Sequence, residues 1–83
     1  MVTKKEAMEI ALAQNPKYDT ITEYADAYEF SINDGEIHYG GADNSCIIEK
    51  STGKHLRWYE YFMDGKRNVV ETVGPQKIED ILL

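Results

Sequence analysis

At 83 residues the chain has room for one domain with a thin core, and 42% hydrophobic residues make that domain globular rather than disordered. A net charge of -6, from 15 acidic residues against 9 basic ones, argues against the basic surface that nucleic-acid phosphates require. Cys46 is the single cysteine, which excludes an internal disulfide, and no apolar run reaches the length of a membrane span or a signal peptide. The expectation is one cytoplasmic domain over residues 1–83, with neither nucleic acid nor membrane as partner.

Thr3-Lys4-Lys5-Glu6 has the form of a capping box, a hydroxyl at the cap and a carboxylate three residues on. Ala7, Met8, Ile10, Ala11 and Leu12 follow at helical spacing, and Asn15-Pro16 ends the run. A helix over Lys4 to Gln14 is predicted. Lys17 to Ala25 suits either a helical turn, through Tyr18, Ile21 and Tyr24, or a strand through Thr20-Ile21-Thr22. The strand is the preferred reading.

From Asp26 the period becomes two. Tyr28, Phe30 and Ile32 point one way and Glu29, Ser31 and Asn33 the other, a half-buried strand. Asp34-Gly35 reads as a tight turn into Glu36-Ile37-His38-Tyr39, and Gly40 to Asn44 as a loop. Cys46 to Lys50 is a short strand, and Leu56 to Met63 is expected to be a longer one. Asp64-Gly65 marks another turn, Asn68 to Val73 a further strand stopped by Gly74-Pro75, and Gln76 to Leu83 a short final helix. Strands joined by tight turns pair with their neighbours. The predicted fold is α+β: an N-terminal helix packed on a four- to five-stranded antiparallel meander, with a short C-terminal helix.

Between the two central strands, Ser51-Thr52-Gly53-Lys54 has the residue types of a phosphate-binding loop. It lacks the upstream glycine, and a β-rich run rather than a helix follows it. A turn accounts for every position: Ser51 and Thr52 bond to nearby backbone, and Gly53 takes a positive φ. Helix, aromatic strand "AYEFSI", "GG" loop and "IIEKSTGK" together resemble the small α+β domains that run from the PepSY-like group to one family of bacterial toxin-system immunity proteins. The resemblance covers roughly Thr3 to Phe62 and carries no catalytic residue. It implies a non-enzymatic module that binds a protein, in the immunity case a toxin. PepSY-like domains usually lie outside the cytoplasm, whereas this chain shows no leader.

Chemistry has few footholds. Cys46 with His38 or His55, oriented by Asp43, could form a thiol nucleophile and base, yet Cys46 beside Ile47-Ile48 reads as a small buried apolar residue. His38 and His55 with Asp43 or Glu49 match no zinc spacing, so neither metal nor cofactor is implied. The carboxylate pairs Glu79-Asp80 and Asp19 with Glu23 lie in polar faces. Trp58, Tyr59 and Tyr61 are the most informative group. As a strand, Leu56 to Met63 puts Trp58, Glu60 and Phe62 on one face and Arg57, Tyr59, Tyr61 and Met63 on the other. One short helix cannot cover both. The expectation is that Trp58 enters the core while Arg57, Tyr59 and Tyr61 form a partner-binding face. Its rivals are a sheet wrapped on both sides, a homodimer formed through the sheet, and a small thiol enzyme.

Overall fold

The computed structural model describes residues 1–32, 45–66 and 69–82. The predicted Asp34-Gly35 turn, the Glu36–Tyr39 strand and the Gly40–Asn44 loop, with His38 and Asp43, lie outside the described residues. Among those described, no helix is long and apolar enough to cross a membrane.

Helix α1 spans Lys4–Gln14 as expected. The Thr3 hydroxyl accepts from the Glu6 N–H and the Glu6 carboxylate from the Thr3 N–H, both at 3.1 Å. Asn15 closes it, its N–H bonded to Ala11 O at 3.0 Å, and its side chain accepts from Lys17 N–H to turn the chain. The strands are β1 (Thr20–Tyr24), β2 (Ala27–Ser31), β3 (Ser45–Glu49), β4 (His55–Leu56) and β5 (Glu71–Lys77). They form one antiparallel sheet in the order β4-β3-β2-β1-β5. The first four make the meander, and β5 returns to the far edge beside β1. Between β4 and β5 lies helix α2 (Trp58–Phe62), and helix α3 (Ile78–Leu82) ends the described chain.

Gly74-Pro75 does not end the last strand. Ile21 pairs with Gln76 and Glu23 with Val73, so both residues stand opposite Thr22 in a bulge. An edge strand tolerates proline there, because a bulged position has no ladder bond to lose. The terminal helix consequently starts at Ile78, two residues later than the Gln76 start read from the sequence.

The central strands bury residues on both faces, whereas the edge strand β5 is largely exposed. On one, α1 and α3 cover Ile21, Tyr28, Phe30, Cys46 and Ile48, with Ala7 and Ala11 letting α1 approach closely. On the other, α2 covers Ala27, Ile47 and Leu56. Burying each large side chain stabilises by about 1.5–3 kcal/mol. A polar clasp closes the α1 side: Glu23 receives Lys50 Nζ at 2.8 Å and Lys4 Nζ at 3.4 Å, and the Lys50 ammonium lies 4.9 Å from the Tyr28 ring centre. The Lys50 hydrogen bond, foremost, holds the Glu23 carboxyl below its ordinary pKa. Its contribution is therefore present above the ordinary carboxylate range and is lost as pH falls.

The Ser51–Lys54 segment forms the turn between β3 and β4, and the Thr52 hydroxyl accepts from the Lys54 N–H at 3.1 Å. Gly53 N–H bonds to Glu49 O at 2.8 Å, and the Thr52 and Ser51 hydroxyls both donate to the Glu49 carboxylate, at 2.7 and 3.4 Å. Val2 N–H bonds to Lys50 O at 2.8 Å, so the N-terminus is fastened beside the turn. Gly53 has φ 74°, and a Cβ there would sit 3.0 Å from Val2 Cγ1 and 3.4 Å from Ile10 Cδ1. Gly53→Ala is expected to cost roughly 1 kcal/mol or slightly more, from backbone strain and this crowding together. A urea titration should show a lower midpoint at unchanged slope; an unmoved midpoint would contradict the turn geometry.

Candidate functional site

The aromatic run does not continue as a strand. Only His55 and Leu56 pair with β3, and the chain then turns into α2. Arg57 is extended, and its N–H donates to the Glu60 carboxylate at 3.4 Å, the returning half of a capping box. Met63 N–H bonds to Tyr59 O at 3.1 Å, and Lys66 N–H to the Asp64 side chain at 3.0 Å, which turns the chain away.

The change of period reassigns the rings. A strand would have put Tyr61 with Tyr59 on an exposed face; the helix rotates Tyr61 into the core, where it is 0% exposed. Tyr61 donates its hydroxyl to Asp26, and its ring lies 5.8 Å from Tyr24 and 5.2 Å from Phe62. Phe62 meets Tyr24 edge-on at 5.5 Å. Trp58, expected in the core, is 40% exposed, and Tyr59 is 38% exposed. Of the three residues assigned to a partner face, Arg57 and Tyr59 lie outside and Tyr61 does not. The neglected signal was the pair Arg57-x-x-Glu60, together with rings at 58, 61 and 62, which fit a helix better than a two-residue period.

On the outside, Arg57, Trp58 and Tyr59 contact one another. Arg57 Nη1 donates to the Tyr59 hydroxyl at 2.7 Å, and the guanidinium lies 6.0 Å from the Tyr59 ring centre. Trp58 and Tyr59 stand edge to face at 5.9 Å. Met63, one turn beyond Tyr59, is 79% exposed, and Val69 and Val70 are exposed further along. Val70 O accepts from Ala25 N–H at 2.8 Å, between the Tyr24 and Asp26 that seat α2. Beneath the helix, Tyr24 donates to Glu29 at 3.2 Å. Burial above all, then Glu29 and Glu71, pushes the Tyr24 phenol up to about 12. Burial likewise raises the Glu29 carboxyl, so its ionisation disfavours the fold increasingly as pH rises past the ordinary carboxylate range.

Of the residues of the thiol arrangement, Cys46 and His55 are among those described, whereas His38 and Asp43 are not. Cys46 is buried among the α1-side core residues, and burial, chiefly, pushes its pKa up to about 11. His55 is exposed and stands opposite Ile48, two residues along β3 from Cys46. Among the described residues no group of three or more His, Cys, Asp or Glu is placed to hold a metal. A second feature is a cleft of about 750 Å³ at the sheet end, between Leu12 and Pro16 on one side and Pro75 to Glu79 on the other. Comparison of the chain with protein-family models, curated proteins and solved structures returned no match in any of the three.

Two outcomes follow from these positions. Tyr61→Ala should lower stability by about 3–5 kcal/mol by opening a cavity and stranding Asp26, whereas Trp58→Ala should cost roughly 1 kcal/mol or less. Thermal melts of the two variants should differ accordingly, and the reverse ranking would restore the strand arrangement. Cys46 should react with a thiol reagent only at the rate of unfolding, because a shielded thiol offers little thiolate. Rapid labelling of the folded protein would contradict its burial.

Proposed function

We propose that this domain is a non-enzymatic protein-binding module whose contact face is the outer side of α2, centred on Trp58 and Tyr59. The observation that carries the reading is the exposure of Trp58, Tyr59 and Met63 beside Arg57, on a helix whose other side is core. Tryptophan, tyrosine, arginine and methionine are the types that interfaces enrich, and contiguous apolar surface is otherwise selected against. The rings carry large contact area with little rotamer freedom to lose. Arg57, bonded to Tyr59, is ordered before any partner arrives, which lowers the entropic cost of binding.

The resemblance to immunity proteins gives the partner a class, a toxin held by a small acidic inhibitor. The net charge of -6 suits that role, because opposite charge accelerates encounter. Self-association through the same face is the competing reading. The test takes as candidate partner the protein encoded by the gene adjoining that of this chain. Trp58→Ala with Tyr59→Ala should shorten the lifetime of that complex about tenfold or more while leaving the melt nearly unchanged. Light scattering should give a monomer for the parent protein. An unchanged lifetime would overturn the α2 assignment, and a dimer that the double variant dissociates would make the partner a second copy.

A further inference from the structure

The sheet ends differently at its two margins. At one, β4 is two residues long and runs on through Arg57 into α2. At the other, β5 pairs with β1 along one edge and, among the described residues, with no strand along its second edge. It is seven residues long, and all of them but Val73 are exposed. Two hydrogen bonds fix the way its ends face. Val70 O accepts from Ala25 N–H at 2.8 Å and Ile78 N–H donates to Asp19 O at 2.9 Å, so residues 70 and 78 turn these groups towards β1. Backbone groups alternate between the two edges along a strand. Glu71 and Lys77, the first and last residues of β5, therefore turn theirs to the open edge. The bulge opposite Thr22 and Pro75 lie between these two ends.

The sequence of this strand, Glu-Thr-Val-Gly-Pro-Gln-Lys, is complementary to itself when reversed about Gly74. Glu71 then stands opposite Lys77, and Val73 opposite Pro75. We propose that the open edge of β5 docks a second copy of this chain, antiparallel about Gly74, to make one continuous sheet. At each end a Glu71 and a Lys77 exchange two backbone hydrogen bonds, and their opposite charges meet on one face of the sheet. Parallel pairing in register would set like charges side by side, which is destabilising. Among the described residues neither side chain makes an ion pair within its own chain. Pro75 offers no N–H, so the middle of the edge contributes less than its ends. A contact confined to seven residues stays below the roughly 1,000 Å² that a stable interface needs. The dimer is therefore weak, forms at about millimolar concentration and leaves the dilute chain monomeric. It uses no residue of α2 and does not depend on the reading above.

Sedimentation equilibrium of the whole chain, from about 0.02 to about 2 mM, tests the pairing through mass action. The average mass should climb from that of a monomer towards that of a dimer. Glu71→Lys alone and Lys77→Glu alone should each weaken association severalfold, because like charges then face each other at both ends. An equimolar mixture of the two variants restores opposite charges at both ends and should associate at least as strongly as the parent. One chain carrying both exchanges should recover it as well. Recovery in the mixture also shows that each variant is folded. A mass that stays monomeric to about 2 mM overturns the proposal. So does association that neither single exchange weakens, or a loss that neither the mixture nor the double exchange repairs. Association that survives the charge exchanges but is lost in Trp58→Ala with Tyr59→Ala would place the contact on α2 and overturn the β5 edge, so the two readings fail separately.

Discussion

Strand β3 must be covered from both sides, and the rest of the molecule is arranged around that requirement. Cys46, Ile47 and Ile48 are consecutive and all are buried, so their alternating side chains fill two separate cores. In a chain of this length the surface is large relative to the interior, and a sheet with one bare apolar face would lose much of its stabilising burial. Helix α1 serves one face. Among the described residues, the segment after β4 serves the other, through Tyr61 and Phe62.

The exposed patch is a by-product of that solution. A helix of five residues has one side to bury, and here Tyr61 and Phe62 occupy it against Tyr24, Ala27, Ile47 and Leu56. Tyr59 and Met63, four residues apart, share the side turned away from it, and Trp58, at the first position of the helix, is 40% exposed. The same geometry that completes the second core therefore presents rings to solvent. Rotation is limited because Tyr61 is tied to Asp26 and Tyr24 to Glu29, and both tyrosines pack on one another. The proposed contact face is held by a rigid seat rather than by a free loop, an arrangement that keeps ordering costs on binding low.

Two features that resemble chemistry are absorbed by the architecture. The Ser-Thr-Gly-Lys turn directs its hydroxyls at Glu49 and its glycine at Val2 and Ile10, joining the N-terminus to the β3–β4 hairpin. Cys46 fills a small apolar position between Phe30 on β2 and the helix above it, where a thiolate would be poorly solvated. The bonding of Lys4 and Lys50 to Glu23 adds a polar fastening along the margin of the same core. Each of these groups serves stability through partners that a sequence pattern only partly reveals.

Local chemistry settled much of the chain in advance. The capping box of α1, the alternation of β2, the apolar run of β3 and the positive φ of Gly53 each depend on neighbours a few residues away, and each was legible in the order of residues. The fate of Trp58 to Phe62 was not local. With rings on both parities the run satisfied strand preference, and only the need to cover Ile47 and Ala27 selected the helix that buries Tyr61 and exposes Trp58. The passage of β5 through Gly74-Pro75 was likewise decided from outside, by its place at the sheet edge, where a bulge opposite Thr22 costs no ladder bond. Sequence determined which segments were apolar and where they could turn; long-range burial determined which side of each aromatic segment faced the core.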